Sequence, residues 1–301
     1  MDICKISNVR WNVGSHLSFS RCIAPTFSQA IKLGMYTFQF FMGNPKNAWI
    51  RQQISEQDIQ NCLVLMNRFP MNIFSHYPYC ANLAGKAELN GLAWSGNNNI
   101  DKKLLAVIES LEYELSILAS FQQSHLNIRS GVVIHPGSYP NRIAGHKSVA
   151  KTLNRVNFPE KSVLLLENCA GEGNKLCRTF QEIHDVMILL DENIKPHVKV
   201  CVDTAHIWGQ GDYDLRKLDE IDRLFSDFEN LVGIDNFYLL HLNDSSAQFG
   251  SKKDAHAHLG TGYIWGENFR SLIYLLDKCN YYHIPMVLET SAYDMLTLSS
   301  I

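Results

Sequence analysis

The sequence predicts an α/β protein built as a (β/α)8 TIM barrel. Eight short segments rich in β-branched and aromatic residues alternate with stretches whose apolar residues recur at spacings of three and four. This alternation is typical of parallel strands that are connected by helices. The chain length of 301 residues also suits eight strand–helix units, which close into a barrel.

The predicted strands and helices follow one another along almost the whole chain. In the third helical stretch, for example, apolar side chains recur on one face from Leu104 to Leu118. The predicted strands are residues 13–18, 36–41, 71–75, 131–135, 162–167, 198–203, 237–241 and 285–289. The predicted helices lie near residues 25–34, 55–68, 101–122, 145–155, 179–192, 215–230 and 266–279.

No repeat, charge block or linker divides the chain, so we expect a single domain over residues 1–301. Two connections, 77–100 and 242–265, are too long for simple turns between a strand and a helix. Loops of this length in a compact domain are usually functional. In a barrel the loops that follow the strands build the active face, so we expect both loops to border a functional site.

The composition excludes several classes of protein. A hydrophobic fraction of 46% and a charged fraction of 19% exclude a disordered chain, and the apolar runs are far too short to cross a membrane. Met1 to Lys5 begins no secretory signal, so we expect an intracellular, cytoplasmic protein, with a nuclear location left open. The eight cysteines form no Cys-x-x-Cys pair and are expected to be reduced. A net charge of −3 is weak evidence for or against any partner.

The third to eighth predicted strands all end in His, Asp or Glu or are followed directly by such a residue, where a barrel strand points toward the active face. A single histidine at such a place is more often structural. Six acidic or imidazole side chains together would be costly to bury without partners, and bound cations remove that cost. The six are His76, His135, Glu167, Asp203, His241 and Glu289.

Two short motifs extend this set. His206 follows Asp203 by three residues, and Asp254-Ala255-His256 lies in the long seventh loop, where alternate residues of an extended segment face one way. His258 is an alternative ligand to His256 that spacing alone does not exclude. The nine candidate metal ligands are His76, His135, Glu167, Asp203, His206, His241, Asp254, His256 and Glu289.

The ligand types indicate which metal to expect. Five imidazoles with four carboxylates suit Zn²⁺ better than Mg²⁺ or Ca²⁺, which prefer oxygen ligands alone. The ligand types alone do not exclude manganese or iron at one site. Nine ligands are too many for one tetrahedral ion, and with a shared carboxylate they suit about three.

In order along the chain, eight motifs resemble those of one family, the metal-dependent apurinic/apyrimidinic (AP) endonucleases of the endonuclease IV type. The similarity runs almost from end to end. The residues that carry it include G-S-H-L-S at 14–18, S-H-Y-P-Y at 75–79, H-P-G-S at 135–138, L-E-N-C-A-G at 166–171, C-V-D-T-A-H at 201–206, H-L-N-D at 241–244, D-A-H at 254–256 and L-E-T at 288–290.

The resemblance implies a hydrolase with three zinc ions that cuts double-stranded DNA 5′ to an abasic site, leaving a 3′-hydroxyl and a 5′-deoxyribose phosphate. Removal of 3′-blocking groups is a further activity that it leaves open. It implies that Glu167, His135, Asp203 and Glu289 are central to catalysis. By motif, His76, His135 and Glu167 hold the first ion; Glu167, Asp203, His241 and Glu289 the second; and His206, Asp254 and His256 the third.

The resemblance also suggests contacts with DNA. Lys46 follows the second predicted strand where the family usually has a basic side chain, and Tyr79 resembles an aromatic residue that follows the first ligand. We expect His16 to have a supporting role and the protein to act as a monomer. Four positions depart from the usual family residues without removing a ligand, which puts the DNA affinity in question. They are Ala205, Ser246, Ala255 and Trp265.

Two other functions compete with DNA cleavage. A sugar isomerase or epimerase of a related barrel would also use His and carboxylate ligands, but it has no need for the third set formed by His206, Asp254 and His256. A non-catalytic protein that binds DNA lesions through structural metals is the other alternative. A structural site is normally closed and needs no shared carboxylate, so the ligand set favours the hydrolase.

Overall fold

The computed structural model describes residues 10–47, 53–86, 102–122, 125–266 and 269–301. Eight parallel strands close into a barrel in which neighbours along the ring are also neighbours in sequence, and the last strand pairs with the first to complete it. The predicted (β/α)8 barrel is therefore confirmed. The barrel strands are β1 (Val13–His16), β2 (Thr37–Phe40), β3 (Asn72–His76), β4 (Ser130–Ile134), β5 (Leu164–Glu167), β6 (Val198–Asp203), β7 (Phe237–His241) and β10 (Met286–Leu288).

Three of the outer helices begin where a polar side chain accepts a hydrogen bond from the first turn. Ser55, Asn141 and Thr179 each accept a backbone N–H in this way, at the starts of the second, fourth and fifth helices. The helices are α1 (Ile23–Lys32), α2 (Glu56–Arg68), α3 (Lys102–Ala119), α4 (Arg142–Leu153), α5 (Phe180–Met187), α6 (Thr204–Gln210), α7 (Leu218–Leu231), α8 (Arg270–Tyr281) and α9 (Asp294–Ser299). None of the helices in the described ranges is long and apolar enough to cross a membrane.

Two helices, α6 and α9, are absent from the sequence prediction. Helix α6 is only seven residues long, and all seven are buried, so no polar face reveals a helical period. Its boundaries are nevertheless well defined. Asp203 caps its start by accepting the N–H of His206, and Gly211 ends it with a left-handed φ of 86°.

A single apolar layer fills the barrel between its two mouths. It consists of inward-facing side chains, which pack on one another and form a cluster distinct from the larger core beneath the helices. Polar side chains of the next layer toward the carboxyl ends of the strands lie above it. The apolar layer comprises Phe74, Val133, Val163, Leu165, Cys201, Leu239 and Val287.

The long seventh loop contains the hairpin strands β8 (Asp244–Ser245) and β9 (His256–Ala257). The buried carboxylate of Asp244 organises this loop, because it accepts the backbone N–H groups of Gly260, Gly262 and Ile264 at 2.9–3.0 Å. A β-carbon at Gly262 would lie 2.4 Å from Asp244 Oδ1, so the turn requires glycine there. In the other long loop, 77–100, only residues 77–86 fall within the described residues.

Candidate metal centre

The six predicted strand-end ligands gather at the carboxyl mouth of the barrel. Four of them are the last residues of their strands, and the other two follow β4 and β10 directly. Helix α6 and the seventh loop then bring three more side chains over this mouth. In strand order the six are His76, His135, Glu167, Asp203, His241 and Glu289.

The first group comprises His76, His135 and Glu167, whose potential ligand atoms lie within 4.8 Å of one another. Nε2 of His76 lies 3.1 Å from Oε2 of Glu167, and Nε2 of His135 lies 3.4 Å from the same oxygen. His76 and Glu167 are almost completely buried, whereas His135 lies at the rim. Both imidazoles therefore converge on one carboxylate oxygen.

The second group uses the other oxygen of Glu167. Nδ1 of His241 lies 2.8 Å from Oε1 of Glu167, 3.4 Å from Oε2 of Glu289 and 3.8 Å from Oδ2 of Asp203. Glu167, Asp203, His241 and Glu289 meet the same 4.8 Å limit as a set. Glu167 thus faces two ligand groups, one with each oxygen.

The third group lies between α6 and the hairpin of the seventh loop. Asp254 contacts Nε2 of His206 at 3.3 Å and Nε2 of His256 at 3.2 Å. Asp203 also belongs to this group, since its Oδ2 lies 3.7 Å from His256 Nε2. His258, the alternative to His256, faces away, with Nδ1 3.0 Å from Asp294 and a side chain that is 64% exposed.

Hydrogen bonds determine which ring nitrogen three of the histidines present to the carboxylates. Nδ1–H of His76 donates to the carbonyl of Tyr77 at 2.8 Å, and Nδ1–H of His206 donates to the carbonyl of Asn168 at 2.7 Å. The other nitrogen of each ring, Nε2, then carries a lone pair. In His241 the two nitrogens are exchanged: Nε2–H donates to the side-chain oxygen of Gln39, and Nδ1 carries the lone pair that faces Glu167.

These donors fit divalent cations. A ring lone pair that faces a carboxylate at 2.8–3.3 Å is repulsive unless a proton or a cation lies between them. Nε2 of His256 is buried and lies 3.2 Å from Asp254 in a geometry that does not satisfy a hydrogen bond, which is costly in a protein without a ligand there. Mixed imidazole and carboxylate sets, with the second ring nitrogen held by an acceptor, are typical of zinc sites.

Without a cation, the centre holds its opposite charges by mutual attraction. Burial acts to raise the pKa of Glu167, but His135 and His241 outweigh it and hold that pKa well below its ordinary value. Burial acts to lower the pKa of His206, but Asp203 and Asp254 raise it well above the ordinary value. In His135 burial prevails and lowers the pKa to about 4.

Three amide side chains that the sequence prediction missed support the ligands. Asn243 donates to Asp203 Oδ2 at 2.6 Å and to Glu289 Oε2 at 2.9 Å. Asn168 accepts the N–H of Asp203 at 2.6 Å. Gln39, on β2, contacts both His241 and Glu289. The two asparagines stand one or two residues after a ligand, which was an available signal, whereas nothing in the sequence singles out Gln39.

The three residues predicted to have other roles lie at the rim of this centre. Tyr79 is 51% exposed, and its ring packs on those of Phe41 and His76. The backbone N–H of Tyr79 donates to the carbonyl of Pro45, so the loop that carries the exposed Lys46 borders it. Nδ1 of His16 lies 3.2 Å from the amide nitrogen of Gln39.

Known proteins are similar to this chain in sequence and in fold. The sequence pattern of the family described as xylose isomerase-like TIM barrel matches residues 27–298. A probable endonuclease 4 from Clostridium botulinum is 31% identical over 285 residues, which cover 93% of this chain and 92% of that protein. The chain belongs to the endonuclease 4 family. The predicted resemblance is thus confirmed, and so is the prediction of a hydrolase of the endonuclease class.

Solved structures agree with membership of the endonuclease 4 family. The crystal structure of endonuclease IV from Thermus thermophilus superposes with a TM-score of 0.75 at 25% identity, over 96% of this chain and 98% of that one. A D-tagatose 3-epimerase-like protein gives a TM-score of 0.64 at 15% identity over 95% of this chain and 94% of that one. At that identity only the fold is shared.

Proposed function

We propose that this member of the endonuclease 4 family is a zinc-dependent DNA-repair enzyme. It hydrolyses the phosphodiester bond 5′ to an abasic site in double-stranded DNA and leaves a 3′-hydroxyl and a 5′-deoxyribose phosphate. The observation that best supports this proposal is the position of Glu167, whose two carboxylate oxygens face two different ligand groups 2.8–3.4 Å away. A carboxylate shared in this way suits a pair of neighbouring metal ions.

The nine residues would hold three ions. His76, His135 and Glu167 would hold the first; Glu167, Asp203, His241 and Glu289 the second; and His206, Asp254 and His256 the third, with Asp203 beside it. When bound, zinc lowers the pKa of a coordinated water and stabilises negative charge on a phosphate.

The residues of the chain contribute position and charge. Glu167 fixes the spacing of the first two groups, and the tautomers of His76 and His241 keep a lone pair directed at them. Four carboxylates against three divalent ions leave a local charge of about +2, so an acidic protein presents a cationic site to a phosphate.

Selectivity for abasic DNA has a physical basis at the same face. A nucleotide without a base has lost its stacking and pairing, so turning it out of the duplex costs less than for a normal nucleotide. Tyr79 and Lys46 are exposed beside the first ligand group. We propose that the Tyr79 ring packs against the distorted duplex and that the Lys46 ammonium contacts a phosphate.

The decisive experiment uses a duplex with one abasic analogue on a labelled strand. The zinc-loaded protein should cut that strand 5′ to the lesion, and the chelated protein should not cut it until zinc is restored. Binding without incision would instead identify a lesion-binding protein. Turnover of ketose sugars with the duplex left intact would identify an epimerase.

A paired substitution tests the shared carboxylate. Glu167→Gln should reduce incision by at least about a hundredfold and reduce the zinc content below that of the parent protein. Glu114→Gln is the matched control, because Glu114 is also a buried glutamate but contacts Ser75 instead of a ligand. Near-normal cutting by Glu167→Gln would contradict the bridging role.

A further inference from the structure

The opposite mouth of the barrel, at the amino ends of the strands, holds a cavity that the proposed reaction does not use. Its volume is about 490 Å³, and its lining includes Lys161, His197, Lys199 and Tyr238. The apolar layer inside the barrel separates it from the metal centre. Cavities of a few hundred cubic ångströms are large enough for a small ligand.

The inner face of β6 connects the two mouths. Lys199, Cys201 and Asp203 alternate along this strand, and the pairing of Lys199 with the inward-facing Leu165 places the lysine on the inner side. One strand therefore offers a metal ligand at its carboxyl end and a half-buried ammonium at its amino end. The ammonium donates a hydrogen bond to Asn236 at 2.8 Å.

A β-bulge places Tyr238 in this cavity. Val200 pairs with Phe237 and Cys201 pairs with Leu239, so Tyr238 is an extra residue of β7, and its ring packs against the apolar layer. Bulges commonly redirect a side chain at a functional site. The Tyr238 hydroxyl accepts from Gln122 at 2.9 Å, which leaves its own hydrogen free to donate, with no acceptor for it among the described residues.

Positive charge exceeds negative charge around this cavity. The Arg129 guanidinium stacks on the Tyr238 ring at 4.7 Å and donates to the carbonyls of Phe237 and Tyr238. Burial lowers the pKa values of both Arg129 and Lys199, which the exposed Asp235 only partly offsets. In the described part of the chain, no carboxylate lies within ion-pair distance of Arg129, Lys161 or Lys199.

We propose that this cavity is a binding site for a small phosphate-bearing ligand. Lys161 and Lys199 line the cavity and Arg129 flanks it through Tyr238, and this positive charge matches a phosphate dianion better than a carboxylate. Lys161, Lys199 and the Tyr238 hydroxyl supply the donors, while apolar lining residues such as Leu126 and Val163 can contact an attached organic group.

The test uses zinc-loaded protein labelled at lysine and follows the backbone amide signal of Lys199 by NMR. Because this amide lies beside the cavity, its signal reports binding there and not phosphate binding at the metal centre. Inorganic phosphate should shift that amide in a saturable way, and chloride at equal ionic strength should not. Deoxyadenosine monophosphate is titrated in parallel. Tighter binding of the nucleotide would assign the site to phosphate esters, and equal binding would assign it to free phosphate.

Two variants and one control distinguish a specific binding site from nonspecific electrostatic attraction of the anion. Lys161→Gln and Tyr238→Phe should each raise the dissociation constant by about tenfold. Lys195→Gln, on the same face but paired with Glu192, should leave it unchanged. The proposal is overturned if the Lys199 amide does not shift, if chloride shifts it equally, or if Lys195→Gln weakens binding as much as the other two.

Discussion

The side-chain oxygen of Gln39 lies 2.9 Å from Nε2 of His241, and the nitrogen of the same amide lies 2.9 Å from Oε1 of Glu289. One residue of β2 thus orients two candidate ligands from other strands. By accepting Nε2–H, Gln39 keeps the lone pair of His241 on Nδ1, which faces the carboxylates.

Replacing Gln39 with Leu should therefore weaken the second metal site without removing a ligand. We expect zinc affinity or incision to fall by about 10- to 100-fold, the usual effect of losing a residue that orients a ligand. Competition with a chromophoric chelator measures the affinity. Gln60→Leu, at an exposed glutamine that contacts Glu56 on α2, is the control, and equal behaviour of the two variants would refute the role of Gln39.

His256 and His258 should differ sharply when each is replaced by Ala. Only His256 contacts Asp254 and Asp203, whereas His258 contacts Asp294. We expect His256→Ala to lose about one zinc per chain and most of the incision activity, and His258→Ala to keep both. Metal analysis of the purified variants measures the zinc content per chain. Loss of zinc in His258→Ala but not in His256→Ala would identify His258 as the ligand.

Zinc uptake should release protons at neutral pH. Negative neighbours outweigh burial and raise the pKa values of His76, His206 and His241, and that of His256 to about 9. These rings therefore hold their protons more tightly than ordinary imidazoles in the metal-free protein. They must be neutral to bind metal, so affinity should increase as the pH rises from 6 toward 9. Calorimetry in buffers of different ionisation enthalpy counts the protons, and heats that do not depend on the buffer would contradict this.

Glu114 should make the fold less stable at alkaline pH. Burial raises the pKa of this carboxyl to about 8, against the lowering effect of its hydrogen bond from Ser75. The folded state therefore holds a proton that the unfolded chain loses near its ordinary value of 4.5, so the free energy of unfolding falls as the pH rises from about 4.5 through 8.

Glu114→Gln should remove this dependence. At pH 5 the variant and the parent should have similar free energies of unfolding, and at pH 9 the variant should be more stable, by a difference on the order of several kcal/mol. Urea unfolding of both proteins at matched zinc concentrations measures the difference. Parallel profiles over this pH range would show that the carboxyl does not keep its proton in the folded state.

The sequence predicted the barrel and the convergence of the strand-end candidate ligands because both follow from local patterns. Strand β6 is an apolar run, interrupted by Lys199, that ends in Asp203, and parallel strands carry such ends to one mouth. Four of the eight barrel strands are shorter than predicted, as in β1, which ends at His16 instead of residue 18. There the apolar pattern continues in Leu17, which is buried although it lies beyond the strand.

The features that the sequence did not predict depend on contacts between distant segments. Gln39 is separated from His241 by 202 positions, and no motif connects them. Asp203 belongs to two ligand groups because α6 turns back over the end of β6, a geometry that residue spacing alone does not contain. The bulge at Tyr238 depends likewise on the register between two neighbouring strands.

Asp244 has a consequence for how the third ligand group would bind a metal ion. Its carboxylate and the backbone N–H groups that it binds hold the seventh loop in shape through protein contacts alone. The hairpin that presents His256 is therefore preorganised, and an arriving ion does not have to order a flexible segment. Less conformational entropy would be lost on binding, so this loop would favour tight retention of a metal ion even though Asp254 is partly open to solvent.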